Sequence, residues 1–305
     1  MVQELAGGRL HLSHGPIDVV LKAFGAPAAV VQAHRAAERR FPDILPELCA
    51  ELSLLRAPLP ALFDGEKAPS SYALRRAETS LIADLPRSPV GRRMAIACLP
   101  FADLFVTPMA AVAGAVADEL LAVMRAAATL DRVYVNDGGD IAVFCAPRQA
   151  LDIAIAGDFT LGPVPARSGT ITIRHSDGIG GIATSGARGR SFSLGIADSV
   201  TVLAADAATA DAAATLIGNA VDVDHAAVCR RPAVELDPDS DLGERLVTVS
   251  VGPLPRATRH AALAAGLLRA RDYQARGLII DAALTMQGET VTLSQSSTAL
   301  ERIAS

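Results

Sequence analysis

The sequence predicts an α+β fold: a single compact domain over residues 1–305, with helices packed on a mixed, mainly antiparallel sheet. Three observations carry this expectation. Segments with strand and helix periodicity follow one another without strict βαβ alternation. The stretches that join them are mostly short, and no internal repeat or low-complexity linker divides the chain. Of 305 residues, 50% are apolar and 20% charged, which is the composition of an ordered chain with a large core.

In chain order, strands are expected at Leu10–Leu12 and Val19–Phe24. A helix follows from Ala28 to Arg40, with Val30, Val31, His34 and Ala37 on one face. Arg56–Ser70, rich in Pro, Ala and Gly, reads as a loop. Small and apolar residues at helical spacing make Met109–Thr129 a long buried helix. Two strands, Val133–Asn136 and Ile141–Cys145, flank a Gly-Gly turn, and short strands continue at Ile153–Ala156 and Thr170–Arg174. Val200–Ala204 is a strand leading into a helix at Ala207–Ala220. The last part reads as a strand (Leu246–Val251), a helix (Ala257–Arg271) and an apolar pair near Leu278–Ile280 and Thr290–Leu293.

Charge and composition exclude several classes. A net charge of −5 argues against a dedicated nucleic-acid binder. Cys49, Cys98, Cys145 and Cys229 form no CxxC pair, so zinc-ribbon and thioredoxin-type motifs are absent and buried thiols are expected. Met94–Ala117 has the length of a membrane span, but Pro100 and Pro108 divide it and Asp103 lies near its middle, so it reads as soluble core. The first residues lack a basic segment followed by an apolar one. Cytoplasm is the expected location, with no membrane partner, and the apolar excess is compatible with a homodimer.

Several motifs bear on function. Gly178, Gly180 and Gly181 imitate a dinucleotide fingerprint, but turn residues follow where a helix should open, so these glycines are expected to admit close backbone approach instead. Asp237–Asp241 resembles the start of a calcium loop but has Leu242 where that loop needs Gly, and reads as an acidic loop. Asn136, Asp137, Gly138, Gly139 and Asp140 suit a hairpin turn, or a turn against which a ligand lies. Asp211 and Thr215 are four apart on the expected helix and so share a face. With a backbone carbonyl and waters they would make an all-oxygen site suited to Mg2+, and the adjoining helix N-terminus would favour a phosphate. An Asp that only complements the helix dipole is the alternative. His175 is the one histidine near these loops, and reads as a surface residue.

Taken in order, five pieces resemble the catalytic half of the ApbE family, the FAD:protein FMN transferases. They are Met109–Asp118 (MAAVAGAVAD), Val135–Asp140 (VNDGGD), Ile182–Gly186 (IATSG), Ser199–Ala204 (SVTVLA) and Ala210–Thr215 (ADAAAT). The family counterparts are LGAIAKGYAVD, NLGGD, TSG, SVTVIA and ADALAT. The resemblance implies an ApbE-like, T-fold-related domain. It implies Asp211, Thr215 and the carbonyl of Ala113 as Mg2+ ligands, with Asp211 and Thr215 carrying catalysis. Gly138, Gly139, Ser185 and Gly186 match family positions close to the bound FAD, and Asn136, Asp137, Asp140, Thr184 and Arg188 are further candidates at the nucleotide.

The implied ligand is FAD and the implied acceptor a threonine hydroxyl of a target protein, or water. Two family features have no counterpart. Ala113 runs directly into Gly114 where the family has Lys, and no HIIDPRTG-type loop stands between TSG and SVTV. Arg188 and Arg190 are candidates to replace the loop as phosphate partners, and Tyr134 is the aromatic best placed to stack on a flavin. The chain thus looks like a compact branch. A non-catalytic flavin, nucleotide or small-anion binder, and an enzyme with another small substrate on the same scaffold, stay open.

Overall fold

The computed structural model describes residues 1–59, 85–158, 166–189 and 191–293. It opens with strands β1 (Val2–Leu5), β2 (Arg9–His14) and β3 (Ile17–Phe24), then helices α1 (Pro27–Ala50), α2 (Leu52–Leu55) and α3 (Pro89–Cys98). Helix α4 (Val112–Ala127) leads to β4 (Arg132–Asp137), β5 (Asp140–Cys145), β6 (Ala150–Asp158), β7 (Ala166–Arg174), β8 (Gly181–Ser185) and β9 (Ser199–Ala204). Then come α5 (Ala207–Ala220), β10 (Val228–Pro232), α6 (Ala233–Leu236), β11 (Leu246–Val251), α7 (Arg256–Ala275), β12 (Asp281–Met286) and β13 (Glu289–Thr292). The class is α+β, and every strand pair whose register is defined is antiparallel.

The chain divides into two compact units. The first comprises Met1–Ala150, Arg174–Ala183 and Ala204–Ala212; the second takes the described residues of Leu151–Ile173, Thr184–Leu203 and Ala213–Ser305. In the first unit the strands run in the order β1-β2-β3-β4-β5-β8. Alternation places Leu10, Leu12, Val19, Leu21, Val133 and Val135 on one buried face. Helices α1 and α4 pack together in this unit, α1 against β3 and α4 against β4 and β5. Glu119 of α4 is nearly buried and is held by Arg40 of α1 at 3.0 Å and Arg93 of α3 at 3.1 Å. Those two guanidinium groups compensate its desolvation and fix α4 relative to α1 and α3.

In the second unit β9, β12 and β13 are neighbours in that order, β6 pairs with β7, and β10 with β11. Helix α7 packs on β12, where Gly266 leaves room for Val221 and Leu284.

Several boundaries differ from the sequence reading. Helix α1 runs ten residues past Arg40, through Pro42 and Pro46. Its buried stripe is Ala33, Ala37, Phe41, Ile44 and Leu48, while Val31 is exposed. Burial of that stripe offsets the hydrogen bonds the prolines remove. Strands β1, β8 and β10 and helices α2, α3 and α6 are not among the elements expected from the sequence. Helix α5 and strand β11 have the expected ends. Residues 60–70 of the expected loop lie outside the described residues. Of the cysteines, Cys98 and Cys145 are buried as expected, but Cys49 and Cys229 are exposed because they lie on the solvent sides of α1 and β10. Met94–Ala117 is split among α3, two 3-10 turns and α4, and no described helix is long and apolar enough to cross a membrane.

Candidate functional site

In the first unit the site residues gather where α4 and α5 begin. Gly114, in the first turn of α4, lies against the first turn of α5: a Cβ there would stand 2.3 Å from the Ala207 oxygen and 2.7 Å from the Ala208 nitrogen. Gly180, just before β8, and Gly181, its first residue, meet the same segment, with Cβ positions 2.2 Å from the Ala205 oxygen and the Ala207 nitrogen respectively. These glycines therefore serve backbone packing, and no dinucleotide turn forms around them.

This close approach lets each helix cap the other. Asp211 Oδ2 accepts from the Gly114 N–H at 3.1 Å, and the Ala113 N–H supports the same carboxylate. In return Asp118 Oδ1 accepts from the Ala207 N–H at 3.1 Å and Oδ2 from the Ala208 N–H at 3.0 Å. Asp206 completes the turn by accepting from the Thr209 N–H at 2.8 Å, as an N-cap Asp does. The first-turn amides of α5 are thus committed to carboxylates. The expectation that this N-terminus would hold a phosphate fails for that reason: its positive end is neutralised from within the fold.

Strand parity brings two more carboxylates to this point. Asp137 follows Val133 and Val135 on the inward face of β4 and is buried, and Asp140 of β5 stands opposite it. Asp137 Oδ1 also accepts from the Asp18 N–H at 3.3 Å. Burial, then the Asp140 carboxylate, then Asp137 push the Asp211 carboxyl well above the usual carboxylate range, against the opposing pull of the Gly114 and Ala113 amides. Burial and the nearby Asp206 likewise push Asp118 up to about 7.

Asn136 has a local task. Its Oδ1 accepts from the Gly139 N–H at 2.8 Å and closes the β4–β5 hairpin, in which Gly138 and Gly139 have φ of +64° and +120°. The hairpin reading of VNDGGD is correct, and the carboxylates at its two ends do more than turn the chain. Tyr134 pairs with Lys22 and Val143 and projects from the opposite face to Asp137 and Asp140. Alternation along β4 therefore turns it away from those carboxylates. His175 is exposed at the end of β7, its Nδ1 2.9 Å from the Cys145 oxygen.

The remaining candidates lie in the second unit. Thr215 follows Asp211 by one turn along α5, and its hydroxyl donates to Ser185 Oγ at 3.4 Å. Thr184 Oγ1 is 2.9 Å from Thr201 Oγ1. Gly186 lies against Asp198, whose carboxylate pairs with Arg188 Nε at 2.9 Å and accepts from the Gln287 N–H. Arg188 is therefore already paired, and Arg190 lies outside the described residues. Among the described residues no three His, Cys, Asp or Glu side chains are grouped so as to hold a metal ion by themselves. Any cation here would need hydroxyl and carbonyl oxygens as well.

A family model described as AbpE bacteria matches residues 2–292. The chain belongs to this family. The AbpE match runs through both compact units and contains all five motif pieces, so the ApbE-like resemblance holds over nearly the whole chain.

Among curated relatives, a UPF0280 protein of Methanothrix thermoacetophila is 39% identical over 145 residues, covering 46% of this chain and 57% of its own. A UPF0280 protein of Methanopyrus kandleri is 36% identical over 162 residues, covering 52% and 61%. The aligned part thus spans about three fifths of each of these relatives. The crystal structure of the Pseudomonas stutzeri flavinyl transferase ApbE, apo form, aligns over 100% of this chain and 97% of its own, with 15% identity and a TM-score of 0.47.

Asp118 and Asp206 were missed as participants by sequence reasoning. Asp206 was legible, because an Asp directly before a helical run is a standard N-cap. Asp118 was not, because the amides it serves belong to a helix that begins 89 residues later.

Proposed function

We propose that this AbpE-family chain is an Mg2+-dependent, flavin-nucleotide-using protein that moves FMN from FAD to a hydroxyl of a target protein, or to water. The observation that supports this most is the setting of Asp211. It is a part-buried carboxylate on which the Asp140 and Asp137 carboxylates act, and it lies on the same helix as Thr215. Crowded carboxylates favour a bound cation, and the donor types fit a hard one.

In this reading the Asp211 carboxylate, the Thr215 hydroxyl and the Ala113 carbonyl hold Mg2+. When bound, the ion neutralises the pyrophosphate of FAD and makes its phosphorus a better electrophile. The Gly138–Gly139 turn, without side chains, leaves backbone accessible to the nucleotide. Asn136 keeps that turn closed, and Thr184, Ser185, Gly186 and Arg188 are the further candidates for polar contacts to a nucleotide. In the reaction an acceptor oxygen forms a bond to the FMN phosphorus, the pyrophosphate P–O bond breaks, AMP leaves, and the acceptor's proton is released.

Incubation with FAD and Mg2+ tests the proposal: AMP is expected from the native chain and not from Asp211→Asn. A native chain that binds FAD without releasing AMP under varied divalent metals and candidate acceptors would overturn the catalytic reading. It would favour the second one, a flavin- or nucleotide-binding protein without chemistry. Arg188 is paired with Asp198, so a phosphate at Arg188 would compete with that carboxylate in either reading.

A further inference from the structure

Asp118 has no role in the proposed chemistry, yet it is tied to Asp211 by a closed circuit of contacts. Its carboxylate is buried and holds the Ala207 and Ala208 amides at 3.1 and 3.0 Å. Those amides open α5, and Asp211 stands one turn further along the same helix. Asp211 in turn reaches back to Gly114, four residues before Asp118 on α4. The spacing is the same on both helices: Gly114 to Asp118, and Ala207 to Asp211.

We propose that Asp118 is a positioning residue, which sets the first turn of α5 against Gly114 and thereby places the Asp211 carboxylate for metal binding. The proposal rests on the reading of Asp211 as a metal ligand. Three features give Asp118 this role rather than that of an ordinary cap. It acts across helices, so it fixes position as well as helix stability. The Gly114 contact leaves no slack, since even a methyl group would collide with the Ala207 carbonyl. Finally, Asp211 depends on the same approach for its own hydrogen bond.

The test compares Asp118→Ala, Asp118→Asn and Ser88→Ala in the full chain. Ser88 caps α3 by accepting from the Gly91 N–H at 3.2 Å, so its loss reports what removal of a cap elsewhere in the same unit does. Amide hydrogen exchange at Gly114 is the metal-independent readout. In Asp118→Ala, Gly114 exchange is expected to accelerate by about tenfold beyond the change at globally protected amides, with Ser88→Ala unchanged by that measure. Asp118→Asn keeps one acceptor oxygen and should lie between. Calorimetry with MgCl2 should give the same order, the dissociation constant rising about tenfold in Asp118→Ala, the scale expected when a group supporting a metal ligand is removed.

Equal Gly114 protection in native chain and Asp118 variants, or equal loss in Ser88→Ala, overturns the proposal. If Asp118→Ala does not fold, Asp118→Asn decides by the same comparison. If the native chain binds no Mg2+, the metal reading of Asp211 fails, while the exchange experiment still decides whether Asp118 positions it.

Discussion

Asp118 and Asp211 cap each other's helices: Asp118 accepts from the first two amides of α5, and Asp211 accepts from Gly114 in the first turn of α4. Each carboxylate lies four residues beyond an amide that the other holds, Asp118 beyond Gly114 and Asp211 beyond Ala207. Both helix dipoles are answered within the fold, and Asp118 is buried in doing so.

Replacing Gly114 by Ala should be among the most damaging small substitutions in the first unit. The added methyl would lie 2.3 Å from the Ala207 oxygen and 2.5 Å from its carbon, so backbone must move. A loss of about 3 kcal/mol in urea unfolding is expected, typical of overpacking against rigid atoms. A loss below about 0.5 kcal/mol, the range of neutral surface changes, would show that the helices do not approach as described.

Asp118 should make stability depend on pH. Its carboxyl sits at about 7 in the folded chain against an ordinary value of 3.8. Between these values the native chain keeps a proton that the unfolded chain has released. The contribution is fully present below 3.8, is lost as pH rises toward 7, and is constant above that. Asp118→Asn removes this titration, so its unfolding free energy should fall less steeply than that of the native chain between these limits. Parallel curves would contradict it.

Mg2+ should raise the melting temperature of the native chain, and EDTA should reverse the rise. Saturation at a hundred times the dissociation constant corresponds to about 2.7 kcal/mol. Asp211→Asn keeps an acceptor for the Gly114 amide but loses the charge, and its melting temperature should not respond to Mg2+. A native chain that shows no shift up to millimolar Mg2+ would remove Asp211 from consideration as a ligand.

The hairpin glycines should behave differently from one another. Gly138, at φ +64°, occupies the left-handed region that Asn tolerates, whereas Gly139, at φ +120°, occupies one that side chains avoid. A Cβ at Gly139 meets nothing within 4 Å, so any cost there is conformational. Gly138→Asn should change stability by under about 0.5 kcal/mol and Gly139→Ala should cost about 1–3 kcal/mol, measured by thermal or urea unfolding. Equal costs would count against the turn.

Arg188→Ala should shift stability by less than about 1 kcal/mol, because the Arg188 side chain is half exposed. Asp198→Ala should cost more, since the Gln287 amide also loses its acceptor. Weakened FAD binding in Arg188→Ala, by titration of flavin fluorescence, would place Arg188 at the ligand. Unchanged binding would assign it to Asp198 alone.

Sequence periodicity by itself determined the α+β class, the helix carrying Asp211 and Thr215, the VNDGGD hairpin and the division of Met94–Ala117 into short pieces. These follow from interactions between residues close in the chain, which repeat every two or 3.6 positions. The order of the five motif pieces was legible too, and it led to the family.

Tertiary structure alone decided what Asp118, Gly114 and Asp137 do. Asp118 and the amides it holds belong to separate helices. The need for glycine at 114 comes from a backbone that arrives from residue 207. Asp137 becomes a neighbour of Asp211 only because β4 turns that face toward α4. Capping across helices and crowding of like charge depend on distances between segments remote in sequence, and those distances exist only once the core has packed.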